Sequence, residues 1–246
     1  MSDRTDDRRR TVDGATPPGF DAALERIEGL FDGHLGRLRQ LAAHVTGAAE
    51  RGALTERRIE PVREVLLEWL DEDQVAWGYG FVAAPEVVDS KPRYLFWFQR
   101  TGREFRRLQL NFDIDDVNVY DYLHMDWYTG AEQKRGEVIH GPWVDYTGSG
   151  QYVLTAAVPV MRGEEFLGIA GGDLLVSSLE RRLLPVLKSV RSEAVLVNAN
   201  RQVVVSNSPR WIPGDRLRIH PSDSDTFTTV APVVAGTGWV LAVPGG

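Results

Sequence analysis

Two carboxylates in this chain sit where a charge needs a reason. Asp173 closes the apolar run Ile169-Ala170-Gly171-Gly172, a setting in which an ionised group is costly unless it is paired. Asp145 lies between Val144 and Tyr146, shortly after Gly141-Pro142, where an aspartate can cap a turn or face a pocket. The two could work as a carboxylate pair in hydrolysis. Opposing a bound cation by Coulomb attraction explains them with less machinery. Aromatic side chains are close to Asp145 in sequence: Tyr120, Trp127, Tyr128 and Trp143 could each line a pocket or fill a core. The plain alternative for each ring is core packing, and this applies most to Tyr120 and to Trp97.

Other chemistries find less support. The histidines are His34, His44, His124, His140 and His220, with no H-x-x-x-H pair, and there is no cysteine. Disulfides, thiolate sites and thiol nucleophiles are excluded, and neither a metal nor a cofactor is expected. There is no Gly-x-Ser-x-Gly elbow, P-loop or dinucleotide fingerprint. His124 and His140 flank the Asp145 region and leave one rival open, an enzyme acting on a small polar metabolite through either histidine with Asp145. A further alternative is a dimeric scaffold with no ligand. The net charge of -7 argues against nucleic acid as a partner. No apolar run has the length of a signal peptide core or a membrane span, so the expectation is a cytoplasmic chain without a membrane partner, Arg8-Arg9-Arg10 being a solvated tail.

The elements that must position these residues follow from periodicity. Residues 1–19 are polar, end in Pro17-Pro18-Gly19, and read as a disordered leader. Phe20, Leu24, Ile27, Phe31, His34, Leu38, Leu41 and Val45 then recur at spacings of four and three, one helical seam that packs on the chain's own body or on a second copy. His34 in that seam reads as a packed, hydrogen-bonded histidine. Gly47 and Gly52 close this helix or loosen its end. A second apolar stripe through Ile59, Val62, Leu66, Trp69 and Leu70 completes a helical stalk over 20–76, with Pro61 in a first turn.

From Trp77 the period becomes two. Trp77-Tyr79-Phe81, Tyr94–Phe98 and the alternating Leu108, Leu110 and Phe112 read as strands. Asp115–Lys134 reads as short helices and loops. Val153–Met161 and Phe166–Leu174 form a hairpin about Arg162–Glu165. Ser177 with Glu180 makes a capping-box pair at the start of a helix through Leu187. Smaller strands at 194–197, 203–206, 227–234 and 239–243 follow. The expected fold is α+β, a long N-terminal helix followed by two PAS-like antiparallel-sheet modules. The larger spans 77–190 with its connecting helix, and the smaller spans 191–246.

This order resembles the double Cache family of sensor domains. The likeness rests on Tyr120, then Asp126-Trp127-Tyr128, Gly141-Pro142-Trp143-Val144-Asp145, Thr155–Val160, and Gly168-Ile169-Ala170-Gly171-Gly172-Asp173. It covers the chain from about Phe20 onward. In the family's amino-acid-binding branch a tyrosine, an arginine, a Trp-Tyr pair, a second tyrosine and two aspartates hold the ligand. Tyr120, Trp127, Tyr128, Asp145 and Asp173 match that pattern. Met125 stands at the arginine position and Trp143 at the second tyrosine. The arginine and its aromatic neighbours hold a carboxylate in the family, and Met125 cannot supply that bidentate contact. The cation-binding half is kept, as in the family's amine-sensing branch. The resemblance thus implies a small-molecule sensor, not an enzyme, for a cationic amine or amino-acid-like ligand. The expected ligand-binding residues are Tyr120, Met125, Trp127, Tyr128, Trp143, Asp145 and Asp173. Output would pass to a partner protein, and the N-terminal helix could mediate a homodimer.

Overall fold

The computed structural model describes residues 9–11, 16–113, 115–117, 119–146 and 148–245. In chain order its elements are strand β1 (Arg10–Thr11), helices α1 (Phe20–Glu50), α2 (Glu56–Ile59) and α3 (Val62–Glu72), and strands β2 (Ala76–Ala83), β3 (Leu95–Thr101) and β4 (Glu104–Arg107). A 3-10 turn at Tyr122–His124 leads to helix α4 (Asp126–Lys134), then strands β5 (Val138–Val144), β6 (Tyr152–Arg162) and β7 (Glu165–Leu175). Helix α5 (Val176–Lys188) precedes strands β8 (Val195–Val197), β9 (Val203–Ser206), β10 (Phe227–Val234) and β11 (Trp239–Pro244). This is the α+β plan expected, a long helix followed by two antiparallel sheets. The chain divides into two compact units. One spans His34–Leu175, and the other joins the N-terminal part of the chain through Gly33 to Val176–Gly246.

The larger unit is a six-stranded sheet in the order β4-β3-β2-β7-β6-β5. Side chains alternate across it. Tyr79, Phe81, Phe96 and Phe98 point to one face and are buried there. Trp69 of α3 meets the Tyr79 ring edge-on at 5.7 Å. His34 of α1 lies on the same side, its Nδ1 3.0 Å from the Tyr79 hydroxyl and its Nε2 3.3 Å from the Gly172 carbonyl. The histidine is packed and hydrogen-bonded as the seam implied. Burial holds its imidazole down at about 4, so it is neutral at pH 7. The opposite face carries Val82, Leu95, Trp97, Ala157 and Ile169, covered by Tyr122, Trp127, Tyr128 and Ala131 from the turn and α4.

The smaller unit is a five-stranded sheet in the order β1-β10-β11-β8-β9. Phe31 of α1 meets Trp239 at 5.4 Å. The seam of α1 is spent inside the chain, with Phe20, Ile27, Phe31, Leu38, Leu41 and Val45 all buried. Burying each such side chain contributes about 1.5–3 kcal/mol, so the stripe needs no second copy to explain it.

Four local expectations change. Arg10–Thr11, inside the stretch expected to be disordered, pair with Val230 and Thr229 at the edge of β10. The Arg10 guanidinium explains the order, donating to the carbonyls of Pro221, Ser224 and Phe227. Residues 1–8 and 12–15 of that leader lie outside the described residues. Leu108, Leu110 and Phe112 form no strand. The hairpin at Gly102 uses Glu104–Arg107 instead, and the chain then leaves the sheet edge to pack those three side chains over the Trp97 face. Residues 138–144, not read as a strand, are one, with a register shift between His140 and Trp143 around the cis Gly141-Pro142 bond. Finally, α5 starts at Val176 directly from β7, which puts Ser177 inside the helix instead of at its cap.

Candidate ligand-binding pocket

On the Trp97 face of the larger sheet lies a narrow cavity. About 20 Å³ of it can hold the centre of a water-sized sphere, enough for roughly one water. Its lining joins the two carboxylates of Asp145 and Asp173 with Tyr120, Trp97, Trp127 and Trp143. Val82, Leu95 and Leu108 close its apolar side, and Thr155 its polar one. Among the described residues no lysine, arginine or histidine lines it.

Asp173 sits mid-sheet, opposite Gly78 on β2 and Thr155 on β6. Thr155 Oγ1 donates to Asp173 Oδ1 at 2.7 Å, and Trp143 Nε1 donates to Thr155 Oγ1 at 3.1 Å. Burial pushes the Asp173 carboxyl up to about 8; the Thr155 bond opposes that rise and the charge of Asp145 adds to it. Asp145 follows the last residue of β5 and enters a tight turn. Its Oδ2 accepts from the Ser149 amide at 2.6 Å and its carbonyl from Gly150 at 2.7 Å. A Cβ on Gly148 would stand 2.2 Å from that Oδ2, so glycine is what lets the carboxylate tuck in. Its Oδ1 is buried and has no hydrogen-bond partner among the described residues. Asp145 therefore caps the turn with one oxygen and presents the other to the cavity side. Tyr120 faces both carboxylates. Its phenol is held well above the usual range by burial first, then by the charges of Asp145 and Asp173.

Of the residues expected from sequence, Tyr120, Trp127, Trp143, Asp145 and Asp173 share this cavity. Met125 and Tyr128 are not in its lining. Met125 is the N-cap of α4, its carbonyl taking the amides of Tyr128 and Thr129. Tyr128 is buried between Tyr122 and Phe166, with ring centroids at 5.3 Å and 5.7 Å, and burial raises its phenol.

Five lining residues stand outside the expected set, the apolar Val82, Leu95 and Leu108 and two that shape the site. Thr155 supports Asp173, and Trp97 forms the floor. Gly78, Gly80 and Gly171 surround the indole, and a Cβ on any of them would fall within 3.0 Å of it. The bare face of β2 was visible as glycines at alternate positions. The histidines of the rival reading are not in the cavity lining, although the His140 ring meets that of Trp143 edge-on at 6.0 Å. His124 is largely exposed and pairs with Asp121 at 2.7 Å, while His140 has Asp126 at 3.9 Å. Among the described residues no cluster suits a metal ion, and no helix is long and apolar enough to cross a membrane.

Comparison with known proteins agrees with this architecture. Residues 62–181 match the family described as methyl-accepting chemotaxis protein-like, first PDC sensor domain. Methyl-accepting chemotaxis protein McpA of Pseudomonas putida is 25% identical over 181 residues, covering 69% of this chain and 28% of McpA. The chain thus spans under a third of the length of that relative. Among solved structures, the extracellular domain of soHK1S-Z6, described as a histidine kinase, superposes with a TM-score of 0.60 at 17% identity, over 90% of this chain and 88% of that one. The ligand-binding domain of the Pseudomonas aeruginosa amino acid chemoreceptor PctB, in complex with L-Arg, gives 0.59 at 16% identity, over 92% and 85%. In sequence and in fold the chain is similar to the PDC, or double Cache, sensor domains.

Proposed function

We propose that this chain, a sensor domain of the double Cache kind, binds a small cationic amine or amino-acid-like ligand between Asp145 and Asp173 and passes the signal to a partner protein. One observation carries the reading. Two buried carboxylates share a cavity walled by three tryptophans and a tyrosine, with no basic side chain in its lining among the described residues. Such a site lowers the free energy of a cation by Coulomb attraction in low dielectric and by contact with π faces. It lacks the guanidinium that a free carboxylate would call for.

The cavity's small size means that side chains around it must move to admit a ligand. That movement is the element a signal needs, since a ligand shifts an equilibrium only by its differential affinity for two arrangements. A homodimer through α1 would use the helix face opposite the buried seam, where Gly29, Gly33 and Gly36 leave open space. The compartment follows from fractionation and protease accessibility in intact cells. The sequence reading expects the cytoplasm, and the extracellular solved neighbour expects the exterior.

A thermal-shift screen of alkylamines, quaternary ammonium compounds and amino acids tests the site. A ligand at a hundred times its Kd adds about 2.7 kcal/mol of stability. Amines that raise Tm in the native chain and fail to do so in Asp145→Asn support the proposal. A screen in which no cation shifts Tm removes it.

A further inference from the structure

Three tryptophans line the cavity, and they differ in one respect. The Trp143 N–H is used within the fold, on Thr155. The indole N–H groups of Trp97 and Trp127 are buried and have no acceptor among the described residues. A buried tryptophan N–H ordinarily finds a partner, and leaving one without is costly. Neither ring is displaced or loosely held. Trp97 is pressed onto the sheet so closely that a Cβ on Gly78 would lie 2.4 Å from its Nε1. Gly78 is the cross-strand neighbour of Asp173, so this donor sits beside the carboxylate. Gln99 Oε1, two residues along the same strand, is itself buried without a partner and does not reach the indole. A cation has no use for these donors, because an ammonium accepts nothing.

We propose that Trp97 is a ligand-binding residue, and that its N–H together with that of Trp127 receives a neutral oxygen of the ligand, so that the pocket selects amines bearing a hydroxyl or carbonyl group over plain alkylamines, quaternary ammonium ions and zwitterions. This rests on the amine reading above and narrows it. The acceptor is neutral because two carboxylates already occupy the cavity and the donors offered to it carry no charge. A ligand carboxylate would be repelled with nothing to compensate it. Amino alcohols and amino amides meet both demands.

Calorimetric titration of the native chain with ethylamine, ethanolamine, glycinamide, tetramethylammonium and glycine tests this without any substitution. The expected result is binding of ethanolamine or glycinamide about tenfold tighter than ethylamine or tetramethylammonium, one hydrogen bond's worth, with glycine weaker still. Trp97→Phe keeps an aromatic face and removes the N–H. It should erase that preference, lowering the affinity for ethanolamine and glycinamide by about tenfold more than it lowers that for ethylamine. Ethylamine binding as tightly as ethanolamine and glycinamide overturns the inference and spares the amine reading. So does glycine binding best, or a preference that survives in Trp97→Phe, or a loss there that is equal for all amines. If none of the compounds binds, both fall.

Discussion

Thr155 and Asp173 face each other across the β6–β7 pair, and the threonine hydroxyl donates to the carboxylate at 2.7 Å. The bond favours the charged form of a group whose burial favours the neutral one. Thr155 is therefore a support for the charge that a bound cation would need. Thr155→Val should weaken amine binding by about ten- to a hundredfold, since hydrogen bonds to charged groups contribute about 1.5–3 kcal/mol. Thr155→Ser should restore most of it. Titration calorimetry of the two variants decides this, and equal affinity in native protein and Thr155→Val would remove the role assigned to the hydroxyl.

Proton release should accompany ligand binding. With its carboxyl raised to about 8, Asp173 is mostly protonated at pH 7 before a cation arrives. A cation beside it favours the ionised form, so the proton leaves as the amine enters. Titrations at pH 7 in buffers of differing ionisation enthalpy should show release of up to about one proton per amine bound, and affinity should rise toward pH 8. A binding heat independent of buffer would refute the linkage. Asp173→Asn should abolish the release.

How much of this the sequence disclosed depends on whether a neighbour in space was also a pattern along the chain. The α1 seam and the β6–β7 hairpin were legible because burial of one face imposes a period. Asp173 was legible because a carboxylate at the end of an apolar run asks for a partner, and Asp145 because the family resemblance puts an aspartate of the pocket at that position. Strand β5 was not, since Gly141-Pro142 interrupts it and its register shift hides the alternation. Leu108, Leu110 and Phe112 alternate like a strand yet cover a sheet face, and nothing in their spacing separates those outcomes. Tyr128 follows the family pattern in sequence and Met125 stands at its arginine position, but both lie outside the cavity lining. Their side chains serve the packing at the start of α4. From sequence Trp97 reads as a core aromatic, because the glycines that seat it come from two strands far apart in the chain.

The pH dependence of stability should show two opposed contributions. The neutral His34, held at about 4 in the fold against about 6.5 when unfolded, binds fewer protons folded than unfolded between those values. Its contribution falls as pH drops from about 6.5 toward 4. Asp173 runs the other way. Its folded value of about 8 lies above the unfolded one near 3.9, so the folded state holds an extra proton and its contribution is lost as pH rises through that window. The two oppose each other from about 4 to 6.5, and Asp173 acts alone from there to about 8. Urea denaturation across pH should find that Asp173→Asn removes a decline above pH 6.5. His34→Gln should instead remove a loss of stability on the acid side. Parallel curves for native and variant proteins would contradict both assignments.

Gly148 offers a way to move the Asp145 carboxylate without changing its chemistry. A methyl group at position 148 would stand 2.2 Å from Asp145 Oδ2 and 2.7 Å from both Cγ and Oδ1. The main-chain turn is held independently by the bond from the Gly150 amide to the Asp145 carbonyl. The side chain is the part free to give way. It would rotate off the Ser149 amide, and Oδ1 would no longer stand where it now lies buried beside the pocket. Gly148→Ala should therefore cost about 1–3 kcal/mol in stability, the usual range for overpacking, and should lower amine affinity nearly as far as Asp145→Asn. Tyr146→Ala, a change at a side chain 85% exposed in the same turn, should alter stability by no more than about 0.5 kcal/mol and leave binding intact. If Gly148→Ala binds amines as the native protein does, then the position of the Asp145 carboxylate is not what the pocket depends on, and its place in the site would pass to Asp173 alone.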